Sequence, residues 1–101
     1  MNMQQMMAQA QKMQRELRKA LEALAQKEFV SNKGGLVTVT LFGNKEIKSI
    51  VIDKDAFDPE NKEMIEASIV LAINELSAQI KKEEEDINER ITGSRGGFQG
   101  F

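Results

Sequence analysis

The residues of this chain whose types and spacing could do chemistry are four closely spaced cations near the N-terminus. Lys12, Arg15 and Lys19 follow one another at spacings of three and four residues, and Arg18 stands beside them. On a helix this spacing places side chains on one face, where ammonium and guanidinium groups can contact the phosphates of a nucleic acid. A solvated helix surface has the same pattern, so both interpretations stay open at this point.

The composition argues against catalysis. The chain has no His and no Cys, so the commonest general base, the commonest metal ligand and the thiolate nucleophile are all missing. Gly34-Gly35 is too short for a phosphate-binding loop. The acidic run from Glu83 to Asp86 lacks the Gly-turned loop of a calcium site. We therefore expect a protein that is not an enzyme, with no cofactor, no metal and no small-molecule substrate.

The net charge of −2 conceals an asymmetry along the chain. Residues 1–27 carry five basic and two acidic groups, whereas residues 54–91 carry five basic and eleven acidic groups. The sequence pI of about 5.2 argues against a simple cationic coat on DNA. The longest apolar run, Ile69 to Ile73, is far shorter than the roughly 18 residues of a membrane span. We expect a cytoplasmic protein with no membrane contact.

The stretch between Gly34 and Asp53 is the strongly β-patterned part of the chain. Apolar residues alternate with Thr38 and Thr40, and Gly43-Asn44-Lys45 then supplies a turn before a second β-branched run. Residues 28–31 are a candidate third strand. The alternation predicts a hairpin whose inner face is built from Val37, Val39 and Leu41.

The opposite face of this hairpin is predicted to be partly apolar as well. Leu36 and Phe42 are expected there, and Ile50 and Ile52 are candidates for the same face. A small sheet that is apolar on both faces favours a subunit interface, and so a homodimer. The alternative is that Leu36 and Phe42 only sit at strand ends under a loop.

Residues 2–27 are predicted to form one long helix, since they contain good helix formers and neither Gly nor Pro. Its apolar residues recur at alternating spacings of three and four, which is a heptad pattern. We call this line the hydrophobic seam, and it consists of Met3, Met6, Ala10, Met13, Leu17, Ala20 and Leu24.

A second long helix is predicted from near Pro59, with Asp58 as its N-cap, to about Ile91. Its first half is apolar nearly all round, which predicts burial on more than one side. Both helices should extend beyond the sheet and pack antiparallel. That arrangement would bury Met3 to Met13 against Ile80, Ile87 and Ile91, with the basic and acidic segments attracting each other. Residues 1–91 would form one domain, and residues 92–101 a flexible Gly-rich tail.

The ordered pattern resembles the YbaB/EbfC family of bacterial nucleoid-associated proteins. The resemblance rests on QQMMAQAQKMQRELRKALEAL, then GGLVTVTLFGNKEIKSIVID, then DPENKEMIEASIVLAINEL, and a tail with Gly and Phe, and it covers nearly the whole chain. It implies an α+β subunit of helix, three-stranded antiparallel sheet and helix, and a tweezer-like homodimer. It also implies binding of double-stranded DNA with little sequence preference, and hence a location on the nucleoid.

Two functions therefore stand against each other. The first is a DNA-binding dimer that affects gene expression and nucleoid organisation, with Lys12, Arg15, Arg18 and Lys19 as DNA-binding residues. The second is a helical adaptor whose Met-rich arms bind a protein partner without DNA, which the acidic balance and the Met residues favour.

Overall fold

The computed structural model describes residues 2–93, and its elements follow in the order helix, three strands, helix. The predicted α+β class with a long helix, a three-stranded antiparallel sheet and a second long helix is confirmed. Residues 94–101 of the predicted flexible tail lie outside the described residues. The bounds are Met3–Gln26 for α1, Glu28–Lys33 for β1, Val37–Phe42 for β2, Ile47–Ile52 for β3 and Lys62–Thr92 for α2.

The start of α1 is fixed by reciprocal capping between two side chains. The Asn2 side chain accepts a hydrogen bond from the Gln5 backbone N–H at 2.8 Å, and the Gln5 side chain accepts one from the Asn2 backbone N–H at 3.2 Å. This capping box satisfies N–H groups that have no partner inside the helix. The helix then continues to Gln26 without a break, one residue short of the prediction at each end.

The start of α2 is three residues later than predicted. Asp58 does act as a cap, but it accepts from the Glu60 N–H at 2.8 Å and so caps a short 3₁₀ turn, Pro59–Asn61. The Asn61 N–H bonds to the Asp58 carbonyl at 2.8 Å, which is the i to i+3 spacing of that tighter turn. The α-helix follows from Lys62 and ends where Gly93 adopts a left-handed conformation at φ 75°.

The sheet is an antiparallel meander in the order β1-β2-β3. Val37, Val39 and Leu41 of β2 are no more than 1% exposed, which confirms the predicted inner face. Phe29 of β1 lies opposite Leu41 and joins the same core. The helix α2 covers this face by packing on β1 and β2, with its buried residues Ile65, Ala72, Leu76 and Ile80.

The predicted side for Ile50 and Ile52 is wrong. Ile50 pairs with Val39 and Ile52 pairs with Val37, so both share the inner face. The reason is an irregularity in the ladder, where Lys48 is an extra residue that shifts the register of β3. Leu36 also packs against the core, and Phe42 remains half-buried on the outer face, where the Lys48 ammonium lies 5.9 Å from the centre of its ring.

The predicted burial of Met3 to Met13 is wrong for Met3 and Met6, which are exposed, whereas Met13 is half-buried. Lys27 contacts Glu83 at 3.0 Å, so Gly93, ten residues after Glu83, lies level with Leu17 on the antiparallel α1. α1 therefore extends past the end of α2 by about 14 residues, or roughly 21 Å at 1.5 Å per residue. Met3 is 76% exposed and Met6 is 57% exposed, while Ile80 is buried in the core beside the sheet.

The β2–β3 turn fixes the end of α1, and Gly43 makes this contact possible. The Gly43 N–H bonds to the Lys27 carbonyl at 2.9 Å, and a Cβ placed on Gly43 would lie 1.8 Å from the Leu24 carbonyl oxygen. Any larger residue must therefore push the backbone of α1 away from the sheet.

We expect Gly43→Ala to lower the free energy of unfolding by about 1–3 kcal/mol or more, the cost of forcing extra atoms into a packed site. Urea unfolding followed by circular dichroism measures it. Gly34→Ala is the control, because a Cβ placed on Gly34 would have no atom within 4 Å. The remaining cost there is the backbone strain of a side chain at a φ of 59°. An equal or smaller loss for Gly43→Ala would contradict the proposed contact.

Candidate nucleic-acid interface

The four predicted site residues lie together on the exposed face of α1. Lys12, Arg15, Arg18 and Lys19 are all exposed, and the buried residues of the same helix are Leu17 and Leu24. At 100° per residue, Arg15 and Lys19 project nearly opposite Leu17, and so away from α2. We call these four residues the cationic stripe. From Lys12 to Lys19 it spans about 10 Å, or about three base steps of a duplex.

None of the stripe residues takes part in an ion pair within residues 2–93. The ion pairs of that part of the chain use other lysines, namely Lys27, Lys33, Lys48 and Lys62, with Glu83, Glu75, Glu28 and Glu66 as partners. The stripe can therefore meet phosphates without first breaking an ion pair. The four residues share one exposed helix face, as the sequence indicated, and their role as DNA-binding residues stays a prediction.

The acidic run of α2 lies to one side of the stripe. Glu83 is level with Lys27, so the run from Glu83 to Asp86 lies beside residues 24–27 of α1. Lys19, the stripe residue nearest to the run, is five to eight residues further along, a separation of about 8–12 Å, and Lys12 is about 18–22 Å away. The Debye length is about 8 Å at physiological ionic strength. Salt therefore screens the repulsion between the acidic run and a bound duplex more strongly at Lys12 than at Lys19.

Sequence reasoning missed one cation near the stripe. Arg90 of α2 lines a groove between the helices together with Ala20 and Ala23. Ala23 stands four residues after Lys19 and so lies close to it on the helix surface. The Lys27–Glu83 ion pair sets the register of the two helices and so places Arg90 beside Ala20. The sequence alone allows many other ion pairs between the helices, and therefore other registers.

The described residues contain neither a candidate metal site nor a candidate membrane-spanning helix. Within residues 2–93 there is no cluster of three or more His, Cys, Asp or Glu side chains that could hold a metal ion. In the same part of the chain, neither helix combines the length and the apolar character that crossing a bilayer requires.

Fold and surface together describe a small α+β protein that presents a cationic helix face. A solved structure of an uncharacterized protein from Helicobacter pylori has a similar fold, with a TM-score of 0.70, covering 86% of this chain and 92% of that one. The two sequences are 22% identical, so this likeness concerns the fold alone.

Sequence comparison identifies the family. The model of the YbaB/EbfC DNA-binding family matches residues 1–95, and this chain belongs to that family. A nucleoid-associated protein of Enterococcus faecalis is 41% identical over 98 residues, covering 96% of this chain and 94% of the relative. One from Saccharopolyspora erythraea is 38% identical over 101 residues, covering 99% of this chain and 87% of the relative. The predicted resemblance to the YbaB/EbfC DNA-binding family is confirmed.

The position of the stripe depends on how α1 is held against α2. We expect the hydrophobic seam to contribute more to the stability of this packing than the Lys27–Glu83 ion pair does. Leu24→Ala should cost about 2–5 kcal/mol of stability because it removes a buried side chain. Glu83→Gln should cost less than about 1 kcal/mol, because the Lys27–Glu83 pair is largely exposed to solvent. Urea unfolding of both variants decides this, and a larger loss for Glu83→Gln would show that charge, not apolar packing, holds the helix.

Proposed function

We propose that this protein binds double-stranded DNA as a homodimer, through the cationic stripe of α1, with little sequence preference. The observation that carries the proposal is the exposure of Lys12, Arg15, Arg18 and Lys19 on one helix face without ion-pair partners in residues 2–93. Membership of a DNA-binding family supports DNA as the partner.

The chemistry of the stripe supports binding that is nearly indifferent to sequence. Lysine and arginine on a helix side bind phosphates, which are the same at every base step, and phosphate contacts carry no sequence information directly. The four stripe residues themselves carry no amide that could read an adenine edge. A protein of this kind occupies many sites on the nucleoid and so influences its organisation and the expression of genes.

The dimer rests on an apolar surface that α2 leaves uncovered. Because α2 packs on β1 and β2, the inner face of β3 is only partly covered, and Ile47 and Ile50 are 47% and 42% exposed. On α2, Val70 is 58% exposed, on the side of the helix where Lys62 and Glu66 lie beside Ile52 of β3. Fully burying one such side chain contributes about 1.5–3 kcal/mol, so a few on each subunit can hold two small subunits together. We call this the β3–α2 surface.

We expect Ile50→Lys to convert the dimer into a folded monomer, because a lysine at the β3–α2 surface would have to be buried in the dimer but not in the monomer. Sedimentation at micromolar concentration measures the mass, and circular dichroism checks the fold. Val30→Lys is the matched control, since Val30 is an exposed strand residue on the outer face of the sheet. A monomeric parent protein, or equal dissociation of both variants, would overturn the dimer proposal.

We expect Arg15→Glu with Lys19→Glu to abolish gel retardation of random-sequence DNA. The parent should bind with a slope of log affinity against log salt of roughly −4, if half of the eight cations of a dimer neutralise phosphates at about −0.9 each. The matched control is Lys81→Glu with Lys82→Glu, which makes the same charge change on exposed residues of α2. Equal loss in both variants would mean that only net charge matters, and unchanged retardation in the first would favour the protein-partner alternative.

A further inference from the structure

The part of α1 that extends past α2 carries an uncovered continuation of the hydrophobic seam. We call residues 3–13 the α1 tip. Met3, Met6 and Met7 of the tip are 76%, 57% and 57% exposed. Within residues 2–93 the seam is buried at Leu17 and Leu24 and half-buried at Met13. Its first three members, Met3, Met6 and Ala10, are exposed.

The α1 tip carries almost no charge. Residues 2–11 contain no Asp, Glu, Lys or Arg, and their polar side chains are those of Asn2 and the glutamines. Lys12, the first charged residue, projects to the side of the helix away from the seam. Two copies of this segment can therefore approach without repulsion between like charges. The apolar residues of an uncharged helix pack more favourably against another apolar, uncharged helix than against a charged surface.

The spacing of the seam makes the tip self-complementary. Met3, Met6, Ala10 and Met13 alternate at three, four and three residues, so the pattern is symmetric about residue 8. In an antiparallel pair, Met3 of one copy lies opposite Met13 of the other, and Met6 lies opposite Ala10. Met3 and Ala10 occupy one apolar position of the heptad, and Met6 and Met13 occupy the other. Each pair of facing residues therefore combines the two positions, which allows knobs-into-holes packing.

The available length fits the same pairing. In this register the second copy's tip ends beside Met13, whereas α2 ends level with Leu17. A second tip therefore occupies the seam up to Met13, about four residues short of the level at which α2 ends. The two paired tips would extend the hydrophobic seam along which α1 already packs against α2.

We propose that the α1 tip pairs antiparallel with the α1 tip of a second copy. This contact is separate from the β3–α2 surface, because the tip lies beyond the end of α2 that is remote from the sheet. A protein with both surfaces joins copies at two places, and in this register the two cationic stripes lie at opposite ends of the paired tips. The tip buries few side chains, so the contact is weak alone and strengthens when the copies are held close to one another.

Disulfide trapping tests the pairing, and a chain without cysteine makes the test clean. Full-length Met6→Cys and Ala10→Cys proteins, distinguished by mass, are mixed in a glutathione redox buffer. We expect the mixed disulfide to exceed the Ala8→Cys homodimer by about tenfold, because pairing raises the local thiol concentration. Position 8 lies at the same level on the opposite face of the helix. Equal yields at both places would overturn the proposal.

A second substitution separates pairing from simple exposure of the thiols. Met3→Gln, added to both cysteine variants, should lower the mixed-disulfide yield about fivefold or more, whereas Met3→Leu keeps an apolar side chain and should preserve it. The same yield in both backgrounds would contradict the proposal. If residues 94–101 cover the seam instead, the cysteines at positions 6 and 10 would cross-link less than the one at position 8, which also overturns it.

Discussion

The burial of the inner face of β2 under α2 is the interaction on which the rest of the molecule depends. Val37, Val39 and Leu41 require an apolar cover, and Ile65, Ala72 and Leu76 of α2 supply it. α2 is 31 residues long, about 46 Å, whereas a six-residue strand spans roughly 20 Å. Once the first half of α2 is fixed on the sheet, its second half must extend beyond it. That second half provides the surface against which α1 packs.

The cationic stripe is a consequence of that packing. Leu17 and Leu24 face α2, so the helix period places Arg15 and Lys19 on the side that faces solvent. The β2–β3 turn holds the C-terminal end of α1 through Gly43, and the capping box of Asn2 and Gln5 closes the other end. α1 is therefore anchored at the sheet and extends past α2 at its other end, and the stripe is exposed along its length within the described residues.

Local sequence patterns predicted the helices and strands, but they did not predict the register of β3 against β2 or of α1 against α2. The alternation from Val37 to Leu41 predicted a strand with the correct inner face. The run of good helix formers without Gly or Pro predicted α1 within one residue at each end. The side of Ile50 was wrong because one extra residue, Lys48, inverts every position after it. The burial of Met6 was wrong because it depends on which residue of α2 stands beside Lys27, and periodicity allows several offsets. The stripe was found because its four residues share one helix face.

Lysine footprinting tests most directly the proposal that DNA contacts the outer face of α1. The full-length protein is acetylated with and without a random-sequence duplex, and each lysine is quantified by mass spectrometry. We expect protection of Lys12 and Lys19, with Lys62, Lys81 and Lys82 unchanged, because the last three are exposed on α2 away from the stripe. Protection concentrated on Lys45 and Lys48 of the sheet, with Lys12 and Lys19 still reactive, would contradict it.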